Sequence, residues 1–148
     1  MQHNPLVRRL ATLSLVFIFL VILAGSVVRA TGSGMGCPDW PQCFGYTIPP
    51  KDVETLTWRT GRSFEEGQMI LLKDQFWVAT ADFTTGDAFV SENWTLFDRH
   101  DYNIFNPVHT WIEFINRLIG ALSGLPVLAL AIIGMWGVRR NVWNAVLS

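Results

Sequence analysis

LATLSLVFIFLVILAGSVV, residues 10–28, is a run of 19 residues without a charge, standing between Arg8-Arg9 and Arg29. With about 1.5 Å of rise per helical residue, such a run crosses a hydrocarbon layer of roughly 30 Å. A second run, LIGALSGLPVLALAIIGMWGV at 118–138, is equally uncharged and lies between Arg117 and Arg139-Arg140. Two charge-bounded runs of this length predict two transmembrane helices. Composition alone does not decide this. A chain of 148 residues that is 50% hydrophobic and 16% charged, with net charge -1, is within reach of an apolar soluble domain. The clustering of the apolar residues is what excludes that class.

The arginines set the orientation. Arg8-Arg9 precede the first run and Arg139-Arg140 follow the second, and two spans return the chain to its starting side. Both pairs then share the cytoplasm, as the excess of basic residues on that side requires. The division is a cytoplasmic N-terminus at 1–9, a first span at 10–28, an extracytoplasmic loop at 29–106, a second span at 107–138 and a cytoplasmic end at 139–148. Residues 31–108 carry 11 acidic and 5 basic side chains, a composition suited to the outer side. A cleavable leader is the competing reading of the first run. An apolar core longer than the usual 7–15 residues or so, with Arg29 inside the cleavage-like Val28-Arg29-Ala30, counts against it.

The loop begins with an unusually dense set of glycines and prolines: Thr31-Gly32-Ser33-Gly34-Met35-Gly36-Cys37-Pro38-Asp39-Trp40-Pro41-Gln42-Cys43-Phe44-Gly45. A phosphate-binding loop would end in Gly-Lys-Ser/Thr, which is absent. Cys37 and Cys43 are the two cysteines of the chain, and on the outer side they are expected to pair as a disulfide. The pair reads either as a structural clip or as a reducible couple. Farther along, 63–83 places Phe64, Ile70, Leu71, Phe76 and Trp77 at helix-like spacing, which predicts a short amphipathic helix on the membrane surface or capping the bundle. The stretch 88–105, rich in aromatics, Asp and Asn, reads as ordered but irregular. No basic patch supports nucleic-acid binding.

The second helix has a legible start, with Asn106 as cap and Pro107 in the first position. His109, Glu113, Asn116 and Arg117 follow at i, i+4, i+7 and i+8, on one face. Two readings of that face remain open: a helix end whose long side chains snorkel to water, or a polar site at the outer edge of the membrane. Gly120, Ser123 and Gly124 add a small-residue face suited to close packing against further helices.

Residues 28–43, from Val28-Arg29-Ala30 through the loop to Cys43, closely resemble the first span-to-loop junction of the haem A synthases. The run His109-Thr110-Trp111-Ile112-Glu113-Phe114-Ile115-Asn116-Arg117-Leu118 is similar to the start of that family's second helix. The resemblance implies an all-α membrane protein, these two spans and their loop being the first part of an eight-helix bundle in the cell's inner (plasma) membrane. It implies oxidation of the C8 methyl of haem O to the formyl of haem A, with haem b as redox cofactor. Glu113 takes the place of the family's second-helix glutamate, which the resemblance assigns to catalysis or to organising the haem site. Arg117 and Arg29 match groups that pair with haem propionates, and Cys37 and Cys43 match a loop cysteine pair held to be redox-linked. The expected partners are haem O, membrane lipid, a haem O synthase and a thiol-redox protein.

One position departs from the pattern. The family's Glu-x-x-His-Arg is here Glu-x-x-Asn-Arg, so Asn116 stands where an axial haem ligand is expected, and an amide oxygen is a poor ligand for iron. His109 lies on the same face about 10 Å earlier along the helix, as an alternative iron ligand. The haem shifts toward His109, a ligand comes from another helix, or Asn116 only lines the pocket. Eight spans need about 300 residues, so the chain is expected to be the N-terminal part of a longer protein, the main haem b ligands lying beyond it. A non-enzymatic haem-binding membrane subunit and a structural or thiol-redox membrane module are the alternative functions.

Overall fold

The first helix begins at Pro5, in the first turn, where backbone N–H groups have no partner within the helix and a missing one costs nothing. The computed structural model describes residues 5–97 and 105–146, the last nine of them as backbone only. Residues 1–4 of the expected N-terminus, 98–104 of the loop and the side chains of the expected cytoplasmic end at 139–148 lie outside that description. Helix α1 spans Pro5–Thr31 and helix α2 spans Pro107–Val146. Both are long and apolar enough to cross a membrane, with mean hydropathies of 2.6 and 2.2 over an 18-residue stretch within Pro5–Thr31 and Pro107–Gly137. Several of their hydroxyls are satisfied within the helix, as an apolar solvent demands. Ser14 Oγ donates to the Leu10 carbonyl at 2.9 Å, Ser26 Oγ to Ile22 at 2.7 Å, and Ser123 Oγ to Gly120 at 2.6 Å. Pro126 sits inside α2, where it removes one backbone donor, a loss tolerated in spanning helices.

The chain forms two compact units, Met1–Val27 with Ile115–Ser148, and Val28–Phe114. In the first, the spans turn apolar side chains outward: Leu15, Phe19 and Ile22 on α1, and Leu125 and Leu128 on α2, are all exposed. A Cβ built on Gly25 would stand 4.0 Å from Asn116 Oδ1, so the Asn116 amide faces α1 there.

The second unit corrects the expectation of a purely helical chain. Residues 63–83 do not form an amphipathic helix; they form most of five short antiparallel strands. These are β1 (Ser63–Phe64), β2 (Met69–Leu72), β3 (Gln75–Ala79), β4 (Phe83–Thr84) and β5 (Trp94–Leu96). The larger sheet has the order β2-β3-β5, and β1 pairs with β4. The physical cause is the turn between β2 and β3. Lys73 and Asp74 both hold positive φ, 52° and 61°, and close a two-residue hairpin in which Leu72 faces Gln75. Such turns are usually announced by Asn-Gly or Asp-Gly; Lys-Asp carries no such signal. Met69-Ile70-Leu71-Leu72 and Phe76-Trp77-Val78 are short apolar runs that fit either period, and the aromatic and β-branched members favour the strand. Within 88–105, the irregular stretch includes β5.

Two apolar clusters fill this unit. One gathers Cys37, Cys43, Phe44, Leu56, Met69 and Phe76; the other gathers Phe64, Ile70, Ala79 and Trp94. Phe64 meets Trp94 edge to face at 5.1 Å between ring centroids, a favoured aromatic geometry. Arg62 ties the clusters together. Its Nη2 donates to Tyr46 Oη at 3.3 Å, and its guanidinium lies 4.9 Å from the centre of the Phe64 ring. Gly45, with φ 74°, lets the chain cross the Gly67–Gln68 backbone, where a Cβ would come within 2.1 Å of the Gly67 oxygen.

Burial raises the Tyr46 pKa above its usual value near 10, and Arg62 offsets this in part. The folded state therefore holds the phenolic proton more tightly than the unfolded state. The associated stability is complete below pH 10 and is lost as the pH rises through the raised value. The thermal midpoint of the loop unit, followed by near-ultraviolet circular dichroism, is expected to fall above about pH 10, and Tyr46→Phe is expected to flatten that fall.

Candidate functional site

The site is built on the first two turns of α2. Asn106 Oδ1 accepts from the backbone N–H groups of Val108 at 3.0 Å and His109 at 3.3 Å, which caps the helix and fixes how it enters the unit. Thr110 and Glu113 lie three residues apart and so share a face. Both are buried, Thr110 completely and Glu113 to 7% exposure. Thr110 Oγ1 donates to the Gly36 carbonyl at 2.8 Å, and the Cys37 N–H donates to Glu113 Oε2 at 2.9 Å. The Gly36–Cys37 backbone is thus fastened to α2 at two points, one helical turn apart. A hydrogen bond to an ionised carboxylate is roughly twice as strong as a neutral one, and a buried carboxylate needs such partners.

Cys37 and Cys43 form a disulfide, with S–S 2.07 Å and Cα–Cα 4.9 Å. The ring it closes is braced from inside. The Asp39 carboxylate accepts the Phe44 N–H at 2.6 Å on one oxygen and the Gly45 N–H at 2.7 Å on the other. Phe44 takes an uncommon positive φ of 59° in this brace. Cys43 and Tyr46 exchange both backbone hydrogen bonds, at 3.0 and 3.2 Å, and the Trp40–Pro41 peptide is cis. Cys37 Sγ lies 3.7 Å from the Thr110 oxygen and Cys43 Sγ 4.0 Å from the Gly36 oxygen. Oxidised sulfurs carry no proton, so these are packing contacts rather than hydrogen bonds. The two cysteines are 1% and 0% exposed, whereas Trp40 at the tip of the ring is 78% exposed. In this conformation the disulfide is shielded from any thiol in solution.

Of the residues singled out from sequence, the structure brings together Glu113, Cys37 and Cys43. The backbone of His109 lies against Gly36 and its side chain is half-buried. Arg29 is exposed in the last turn of α1. Asn116 and Arg117 are half-buried one turn beyond Glu113 on α2. Among the described residues, no group of three or more His, Cys, Asp or Glu side chains is placed to hold a metal ion. Iron carried in a porphyrin needs only axial ligands, and His109 is the one imidazole among the described residues. Three residues of the site were not picked out from sequence: Gly36, Asp39 and Thr110. Thr110 was detectable, as a small polar residue three positions before Glu113 on the face already assigned.

The cytochrome oxidase assembly protein family matches residues 8–81, half of the chain. This chain belongs to that family. The matched region runs from the first turns of α1 through the disulfide ring to just beyond β3. Among curated proteins, it is 48% identical over 46 residues to a heme A synthase of Shewanella oneidensis, covering 30% of this chain and 14% of that protein. It is 42% identical over 50 residues to a heme A synthase of Lysinibacillus sphaericus, covering 33% and 16%. A protoheme IX farnesyltransferase of Thermus thermophilus is 54% identical over 46 residues, covering 30% of this chain and 8% of that protein. The matches thus span 14–16% of the length of these heme A synthases. No solved structure matches the chain. Family and spans together make it a membrane protein.

Because the sulfurs are bonded to each other and shielded, a maleimide is expected to label neither cysteine of the native protein, even when a reductant is added without denaturant. After denaturation it is expected to label both only if a reductant has been added, as read by the mass of the alkylated chain.

Proposed function

We propose that this chain is the N-terminal part of a haem A synthase, a membrane oxidoreductase that converts the C8 methyl of haem O to the formyl of haem A for cytochrome oxidase. The observation that carries the reading is Glu113: a buried carboxylate seated on the Cys37 N–H of the disulfide ring, within the two stretches that resemble this family. The family match and the names of its relatives support it. The arginines flanking the spans support a loop on the extracytoplasmic side of the inner membrane and both ends in the cytoplasm. The outward apolar faces of α1 and α2 support packing against further helices, toward a bundle of eight.

In this reading Glu113 handles or orients a proton as the methyl C–H bonds are oxidised. A carboxylate withheld from bulk water and held in one orientation suits that task. Arg29 and Arg117 bind the propionates of haem O, since guanidinium groups match carboxylates two bonds at a time. Haem b supplies electron transfer when bound. The donor set offered by α2 does not fit it as an axial pair: Asn116 brings a neutral amide oxygen that faces Gly25, and His109 stands alone. The haem b ligands are therefore assigned to a part of the protein beyond this chain, and Asn116 to the lining of the site. A haem O synthase supplies the substrate; the resemblance to a protoheme IX farnesyltransferase fits a neighbour in that step. The shielding of both sulfurs argues against a module whose chemistry is thiol exchange alone.

Glu113→Gln is expected to lower haem O conversion by roughly 10²–10⁴-fold, the usual worth of a general acid or base. The assay is pigment analysis of membranes carrying equal amounts of each protein. Conversion at the level of the unsubstituted protein would remove Glu113 from the chemistry.

A further inference from the structure

We propose that Gly36 and Thr110 are positioning residues for Glu113, and that the disulfide ring is the seat on which this carboxylate is held. The inference rests on the reading of Glu113 given above, and adds what fixes it. A glycine can be required for its backbone freedom or for the space it leaves, and Gly36 separates the two. Its φ and ψ, -79° and -19°, are open to any residue. The space is not. A Cβ at Gly36 would lie 2.5 Å from the His109 carbonyl oxygen and 2.7 Å from the Thr110 nitrogen. Those are backbone atoms of a capped helix and cannot swing aside like the end of a flexible side chain. Glycine is there so that the loop can lie directly on α2.

That approach is what puts the Cys37 N–H within 2.9 Å of Glu113 Oε2. Thr110 locks it one turn away, its buried hydroxyl donating to the carbonyl of the same Gly36. The ring beneath is braced by Asp39 and by the Cys43–Tyr46 pair. Its shape therefore does not depend on Gly36. An added methyl group levers the ring off α2 while leaving the disulfide closed and Glu113 in the chain. The seat and the clip become separable.

The test uses the membrane-embedded protein carrying Gly36→Ala, Thr110→Val or Thr110→Ser. Three readouts are taken: free thiols after denaturation, the Glu113 carboxylate stretch isolated as an infrared difference against Glu113→Gln, and haem O conversion. Gly36→Ala and Thr110→Val are expected to keep the disulfide, shift the carboxylate band, and lower kcat about a hundredfold with little change in KM, the scale for a catalytic group displaced by about 1 Å. Thr110→Ser, which keeps the hydroxyl, is expected to behave as the unsubstituted protein. An unshifted band in both Gly36→Ala and Thr110→Val overturns the seat, and Thr110→Val is the milder change should Gly36→Ala fail to fold. A shifted band with conversion intact upholds the seat and instead overturns the catalytic reading of Glu113.

Discussion

A carboxylate withdrawn from water needs donors, and the donor that meets Glu113 is a backbone N–H 76 residues away in sequence. Most of the loop unit can be understood as what is required to bring that N–H into place. The cap at Asn106 fixes the start of α2, and Thr110 and Gly36 make the close contact. The disulfide and the Asp39 brace give the ring a fixed shape, and Phe44, Leu56, Met69 and Phe76 form one apolar cluster with both cysteines. None of these acts alone. Without Gly36 the ring cannot reach the helix, and without the cap the first turn that carries His109 and Thr110 loses its anchor.

The same geometry bears on the cysteine pair. A clip and a redox couple differ in what must be reachable, and both sulfurs are covered by the ring and by the Thr110 and Gly36 backbones. What the ring offers to the outside is the exposed run Trp40-Pro41-Gln42. The contribution of the disulfide is then mainly architectural. It shortens the loop that carries the Cys37 N–H and reduces the disorder lost on seating Glu113, by roughly 2 kcal/mol for so small a ring in chain-entropy terms.

The spans were legible because a bilayer imposes one rule, length without charge, that the residues at 10–28 and 118–138 satisfy visibly. The disulfide and the start of α2 were legible for similar reasons: two cysteines close together in one loop, and Asn-Pro before a helix. The strands at 63–84 were not. Their hairpin turns on Lys73-Asp74, whose positive φ values are imposed by pairing on both sides rather than by the preferences of the two residues. Glu113 and the cysteines could each be named from motif, but their junction could not. It depends on a tertiary approach of Gly36 to the α2 backbone, for which a glycine among many glycines gives no local sign.

The central claim is that the Cys37 amide is held by Glu113. Hydrogen–deuterium exchange at that single amide, in the oxidised protein in lipid nanodiscs, tests it most directly. Strong protection is expected in the unsubstituted protein, falling by an order of magnitude or more in Glu113→Ala while the Cys43 and Tyr46 amides stay protected. Exchange at the Cys37 amide that is fast from the outset, or unchanged by Glu113→Ala, would contradict it.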